Sequence, residues 1–308
     1  MSARTEYSKS LGGAKLIPGQ AMSTPRTRVK KLDVMVAEVI HETPDTTTLV
    51  LFTGNEHLDY KAGHFITIDP HQLDGLQRWA KYLEHLKGRR EKPRAYSLSS
   101  APFERNLAIT VKAEAYEAGV TQFPPLLSPI LAHRLPVGTM LEITGFTGPY
   151  TMPDNADDED MLHICAGSGI VPSFSIIKQD LECGTSSHCL VYTNKTRVDT
   201  IFHAQLLALE AAYPERLKVV WYYTREGEDL EVSDTVRRGR MAEADVEEQL
   251  SALDNPLVFV CGPANSIHEK RAAKERGDTL SPRFFESVMG HLDALGVDPK
   301  RVKKESYG

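Results

Sequence analysis

The sequence predicts a two-domain α+β fold: an antiparallel β-barrel followed by a doubly wound α/β domain. Three observations lead there. From Leu32 to about Pro153 the chain holds short β-rich runs divided by turn formers. After Pro153 comes an acidic stretch, Asp154-Asn-Ala-Asp-Asp-Glu-Asp160, that reads as a solvated linker. Beyond it, short apolar runs alternate with helical segments, the pattern of a parallel sheet covered on both faces. The length of 308 residues suits two domains. Their expected bounds are 32–153 and 161–308, preceded by a flexible tail over 1–31.

The barrel strands are expected at 34–40, 46–52, 64–68, 107–112 and 140–144. Pro44-Asp45, Gly54-Asn55 and Gly63 supply turns between them. Residues 72–92 interrupt this region with a helical period, in which Leu76, Trp79, Leu83 and Leu86 share a face. In the second half, strands are expected at 161–165, 188–193, 218–224 and 257–261. Helices are expected at 171–182, 201–212 and 284–295. Ser281-Pro282 would open the last of these, with the proline at its first position, and Gly296 would close it. Residues 268–280 are charged and read as a loop or a detached helix.

Composition excludes several classes. Hydrophobic residues make up 41% and charged residues 25%, as in a globular protein. No apolar run approaches the roughly 20 residues that span a bilayer, so no membrane association is expected. The four cysteines (Cys165, Cys183, Cys189, Cys261) include no C-x-x-C pair, which gives no support for a zinc or iron–sulfur site and predicts reduced thiols in the cytoplasm. A net charge of −6 argues against nucleic-acid binding. The tail over 1–31 runs the other way, with seven Lys or Arg against Glu6. It reads as a disordered basic arm, a composition that transit peptides share.

Four motifs carry chemistry. Arg94-Ala95-Tyr96-Ser97 places a bidentate cation and an aromatic ring on one side of a strand, suited to a flavin pyrophosphate and its ring system, with Ser97 close to N5. Ile164-Cys-Ala-Gly167-Ser168-Gly169-Ile170-Val-Pro172 lies between a strand and a helix, where glycines and free N–H groups receive a phosphate. Val258-Phe-Val-Cys261-Gly262-Pro263 ends a late strand, on the edge where open α/β sheets bind ligands. The chain closes on Glu305-Ser-Tyr307-Gly308. Each alone has a plain structural explanation: a strand tetrapeptide, a tight turn, a buried thiol, a frayed end.

In this order the motifs resemble the ferredoxin–NADP⁺ reductase family over essentially the whole chain from Leu32. They resemble most the bacterial branch containing reductase modules of phenylacetyl-CoA and ketosteroid hydroxylase systems. Ala62-Gly-His-Phe-Ile66 and Thr224-Arg225-Glu226 add to the match. The resemblance implies an FAD-dependent oxidoreductase in which NAD(P)H delivers hydride to the flavin, which then releases electrons singly to a ferredoxin or an oxygenase component. It implies that Arg94, Ala95, Tyr96 and Ser97 hold FAD, that Val111 and Lys112 contact it through their backbone, and that Ser128, in the turn Leu127-Ser-Pro129, donates to the pyrophosphate. Gly167, Ser168, Gly169, Ile170 and Pro172 would cradle the pyridine nucleotide. Cys261, Gly262 and Ser97 would frame the hydride path beside Pro263. Tyr307 would cover the flavin until nicotinamide displaces it, with Glu305 as proton relay.

The sequence also departs from the family pattern. Phe123-Pro-Pro-Leu-Leu-Ser128 stands where the family has glycines before its serine. Segments 72–92 and 268–280 resemble insertions. No plant-type ferredoxin domain follows, so a separate iron–sulfur partner and a monomeric reductase are expected. Thr224 and Arg225, with Lys195 and Arg197 nearby, favour NADP(H), with NAD(H) as the alternative. Lys81, Lys87, Arg89, Arg90 and Lys92 form a candidate docking face for an acidic ferredoxin. A reductase of free flavin or quinones and a non-catalytic redox-sensing subunit remain rival readings. His163, His188 and His203 read as ordinary buried or surface histidines.

Overall fold

The structure, a computed structural model, describes residues 30–54, 58–116, 121–153, 156 and 158–307. The basic tail expected over 1–31 therefore lies almost wholly outside the described residues, as do Asp154, Asn155 and Asp157 of the acidic stretch.

Six strands form the first sheet: β1 (Lys30–Thr43), β2 (Thr46–Phe52), β3 (Phe65–Ile68), β4 (Arg94–Ser97), β5 (Leu107–Lys112) and β6 (Met140–Thr147). Their order is β4-β3-β6-β1-β2-β5, antiparallel throughout. Just past β4, Leu98 bridges Ile109 of β5, which closes the sheet into a barrel. β1 lies away from the closure, pairing with β6 at its start and with β2 from Met35 onward. Alternating side chains fill the interior with Val34, Val36, Leu49, Leu51, Ile66, Ile68, Ile109 and Ile143. Between β3 and β4 stands helix α1 (Gln77–Lys87), closed by Gly88 in the left-handed conformation. It buries Leu76, Ala80 and Leu83 in the barrel core. Leu86, expected on that face, is instead 47% exposed, because the packed face runs through Ala80, Leu83 and Lys87 and leaves Leu86 to one side. A short helix, α2 (Ser128–His133), follows β5.

The second sheet is wholly parallel: β7 (Met161–Ala166), β8 (His188–Asn194), β9 (Leu217–Tyr223), β10 (Val236–Arg238), β11 (Leu257–Pro263) and β12 (Val302–Tyr307). Its order is β10-β9-β8-β7-β11-β12, so the winding reverses between β7 and β11. β7 and β8 are buried at every residue, as expected of strands covered on both faces. The covering helices are α3 (Ile170–Cys183), α4 (His203–Ala212), α5 (Glu243–Ser251), α6 (Ile267–Arg276) and α7 (Phe284–Ala294).

Some local expectations are corrected. Arg283, not Ser281, occupies the N-cap of α7, so Pro282 precedes the helix. Segment 268–280, expected as a loop or a detached helix, is helix α6 as far as Arg276, closed by Gly277 in the left-handed conformation, and is non-helical beyond it. The acidic stretch is tied down in its described part: Glu159 pairs with Arg301 at 2.7 Å, Asp160 accepts from the Asp254 amide, and Asp158 accepts from Thr185. Among the described residues, no helix is long and apolar enough to cross a membrane.

Candidate functional site

A cleft of about 710 Å³ runs along the barrel and reaches the second sheet. Arg94, Ala95, Tyr96 and Ser97 of β4 line it, together with Thr110, Val111 and Lys112 of β5, residues 121–128, Ser168, Arg283 and Tyr307. β4 lies at the barrel closure, and burial deepens along it, from the exposed Ala95 to the buried Ser97. Burial raises the Tyr96 hydroxyl far above its ordinary value, keeping it neutral. The Arg94 guanidinium donates to Lys92 O at 2.9 Å and pairs with the buried Glu91 carboxylate.

The backbone of β5 splits by parity. Ala113 N donates to Asp45 O toward β2, whereas Ala108 O accepts from Ser99 N on the opposite side. Even-numbered residues therefore present their amides to the open edge. Of the two residues expected to offer backbone contacts, Lys112 turns its amide to the open edge and Val111 turns its amide to β2; the Thr110 amide also faces the open edge. Ser128 opens α2, and its hydroxyl accepts from Glu114 N at 3.2 Å, which leaves its proton free to donate.

A second cleft of about 620 Å³ lies over the switch point of the parallel sheet. It shares Lys112, Ser168, Arg283 and Tyr307 with the first. Gly167, Ser168 and Gly169 form a single tight turn after β7, from which α3 starts; Pro172 lies in its first turn. Gly167 adopts φ +53°, and its carbonyl accepts from Tyr192 OH at 2.9 Å. Gly169 is required for another reason: a Cβ there would sit 2.1 Å from Cys261 O. The turn thus packs directly on the end of β11, bringing together two motifs nearly 100 residues apart. The Thr193 hydroxyl is buried in the wall of this cleft without a hydrogen-bond partner, beside the buried Asn194 side chain, which lies against the Tyr192 hydroxyl. An unpartnered buried hydroxyl is costly unless a ligand satisfies it.

The chain end is ordered. β12 pairs with β11 so that Cys261 lies opposite Glu305 and Pro263 opposite Tyr307. This register carries Glu305 to the barrel, where Ser97 Oγ donates to its Oε1 at 3.1 Å. Burial raises the Glu305 carboxyl above its ordinary range, partly offset by the Ser97 bond. Tyr307 lies against Cys261 and Ser97. Cys261 is wholly buried beneath it, lines neither cleft, and burial drives its thiol well up, so it is no free nucleophile.

Two expectations about cations change. Arg225 is exposed and outside the lining of the second cleft, as is Arg197; Lys195, Thr224 and Arg240 line it. Lys87, expected on a docking face, has only 13% of its side chain exposed and pairs with Glu91 at 2.6 Å. Arg240, Thr193, Asn194, Thr110, Arg283 and His291 escaped sequence reasoning because topology, not local pattern, delivers them. The one readable signal was Ser266-Ile-His-Glu269, a capping box that opens α6 at the edge of the first cleft.

The family model for the oxidoreductase NAD-binding domain matches residues 163–269. The ferredoxin reductase component of 3-ketosteroid-9-alpha-monooxygenase from Mycolicibacterium smegmatis is 33% identical over 87% of this chain and 69% of its own length. The chain belongs to the ferredoxin–NADP⁺ reductase family. As a member, the reductase is an oxidoreductase that couples FAD to NAD(P)H. The corresponding component from Rhodococcus rhodochrous is 30% identical over 88% of the chain and 64% of its own length. A component of the 1,2-phenylacetyl-CoA epoxidase from Escherichia coli is 26% identical over 87% and 69%. The reductase thus spans about two thirds of these relatives. Among solved structures, the cytochrome b5 reductase domain of Ulva prolifera nitrate reductase aligns with TM-score 0.64 at 20% identity, covering 90% of this chain and 97% of that one. An Amycolatopsis cytochrome P450 reductase gives the same TM-score at 19% identity, covering 93% and 73%. These two likenesses show the shared fold.

Proposed function

We propose that the reductase takes hydride from NADPH and passes electrons singly to a ferredoxin-type iron–sulfur acceptor or an oxygenase component. The carrying observation is the meeting of three distant motifs on one continuous cleft, marked by the Ser97–Glu305 bond of 3.1 Å. When bound, FAD supplies the conversion of one hydride into two single electrons. Arg94 offers its charge to the diphosphate, Tyr96 its ring face, Ser128 a hydroxyl proton, and the open-edge amides of Thr110 and Lys112 the remaining donors. Ser97 lines the cleft and donates to Glu305 behind it, where Glu305 can hold a proton that Ser97 orients.

Gly167, Ser168, Gly169, Ile170 and Pro172 receive the nucleotide diphosphate, and Gly262 and Pro263 flank the route to the flavin. Thr193 fits a ligand because its hydroxyl lacks a partner in the fold, with the Asn194 side chain beside it. Tyr307 closes the route until nicotinamide moves it, which uncovers Cys261. Lys195 and Arg240 favour a 2′-phosphate at the rim, and Arg225 adds a solvated charge. Lys81, Arg89, Arg90 and Lys92 are exposed around Tyr82 and Leu86, a basic face with an apolar centre that suits an acidic partner.

Anaerobic titration of the purified holoprotein with NADPH and NADH, followed in the visible spectrum, tests the cofactor assignment. Bleaching of a flavin band at lower NADPH than NADH is expected, and a colourless protein indifferent to both refutes it. For the partner, double charge reversal at Arg89 and Arg90 is expected to slow ferredoxin reduction about tenfold at low salt and little at high salt. An unchanged rate and salt dependence removes the docking face.

A further inference from the structure

We propose that Lys87, at the end of helix α1, is a second cation for the flavin diphosphate, beside a loop in which two prolines offer no N–H. The proposal rests on the reading of the first cleft as the FAD site.

Proline has no amide proton. Pro124 and Pro125 line the cleft, so neither residue of this loop gives an N–H to an anion. Helix α1 covers this loop. Trp79 Nε1 donates to Pro125 O at 3.4 Å, and Lys87 Nζ stands 4.9 Å above the Phe123 ring. Lys87 and Arg94 both line the cleft.

They are linked by Glu91, whose side chain is only 4% exposed. One carboxylate oxygen holds Lys87 at 2.6 Å, and the other holds Arg94. One negative charge thus binds two positive charges, leaving this cluster one positive charge in surplus, on a wall that also carries Lys112, Arg283, Glu114 and Glu269. A buried carboxylate bound to a single cation would leave none. The second cation is therefore superfluous to burying Glu91 and useful to an anion in the cleft. Glu91 also fixes both side chains in place, which lowers the entropy lost when they meet a ligand.

Flavin-free full-length protein, its Lys87→Met and Lys87→Arg variants, and flavin fluorescence quenching by FAD over a range of salt concentrations test this. Methionine keeps the apolar stem over Phe123 without the charge. Lys87→Met is expected to raise the FAD dissociation constant about tenfold at low salt, with the difference shrinking as salt increases, and Lys87→Arg is expected to restore most of the affinity. Wild-type affinity in Lys87→Met overturns the proposal. So does a loss that is the same at every salt concentration, the signature of damaged packing. Failure of the unmodified chain to bind any flavin is a separate result, and it overturns the reading of the cleft itself.

Discussion

Gly167 and Gly169 stand two residues apart in one turn, yet alanine at each should act differently. At Gly169 the added Cβ would lie 2.1 Å from Cys261 O, 2.5 Å from its carbonyl carbon and 2.9 Å from Gly262 N. All three are backbone atoms of a buried strand and cannot rotate aside. Restoring an ordinary contact requires the turn and the end of β11 to part by about 1 Å, and overpacking of this kind costs about 1–3 kcal/mol. That separation falls between the two motifs that frame the nucleotide cleft. Gly169→Ala is therefore expected to lower the unfolding midpoint and raise KM for NADPH about tenfold or more, since about 1.4 kcal/mol is one decade. FAD content should hold, because Arg94–Ser97 belongs to the other sheet. At Gly167 no atom lies within 4 Å of the place an added methyl would take, and only φ +53° resists substitution. Gly167→Ala should cost about 1 kcal/mol in stability through backbone strain alone, with asparagine milder. Steady-state kinetics and thermal unfolding of the two variants together decide the matter. Equal effects at both positions, or a Gly169→Ala enzyme with wild-type KM, would refute the packing account.

Two further predictions concern pH. His163 is fully buried beside His188 and Phe259, its Nδ1 lacks a partner, and burial followed by the His188 charge holds its pKa well below 6.5. The unfolded chain binds a proton below about 6.5 that the folded chain refuses, so this contribution is complete above that pH and is lost as pH falls, by up to about 1.4 kcal/mol per unit. Urea midpoints between pH 7 and pH 5 should fall more steeply for the native protein than for His163→Phe, and parallel curves would count against the assignment. Glu305→Gln keeps an acceptor for Ser97 but removes a carboxyl that burial raises above 4.5. It should abolish an acid limb in the pH profile of NADPH oxidation while FAD stays bound, and an unaltered profile would remove Glu305 as a proton carrier.

What was legible in the sequence was what local pattern encodes. The short β-rich runs between turn formers in the first half and the unbroken apolar runs of β7 and β8 in the second gave both halves, because strand-forming residues and burial on two faces are written into the local sequence. β12 escaped notice. Its residues Val302-Lys-Lys-Glu-Ser-Tyr307 read as a polar end, but an edge strand paired on one side only tolerates such charges. α5 and β10 were missed in a charged stretch whose few buried groups, such as Val246, leave little period. The cleft was only half legible. The motif residues could be named, while Thr193, Asn194, Thr110 and Arg240 come from strand ends and loops that only the sheet order brings together.

That convergence gives the segment after Arg94 two duties at once. Ser97 holds Glu305 of β12, Ser100 O accepts from Ser175 of α3 at 2.6 Å, and Glu104 binds Lys178 of α3 at 2.7 Å. Each contact joins the barrel to the parallel sheet, and all three spring from eight consecutive residues beginning at the last of the tetrapeptide. The stretch proposed to hold the flavin is therefore also the seam that sets where the nucleotide turn stands against it. A change of register in β4 would misplace cofactor and coenzyme together. The close spacing of Arg94, Tyr96 and Ser97 with Ser100 and Glu104 then follows from geometry: one rigid strand and its continuation must fix both partners of a hydride transfer, because an error of about 1 Å between them costs about a hundredfold in rate.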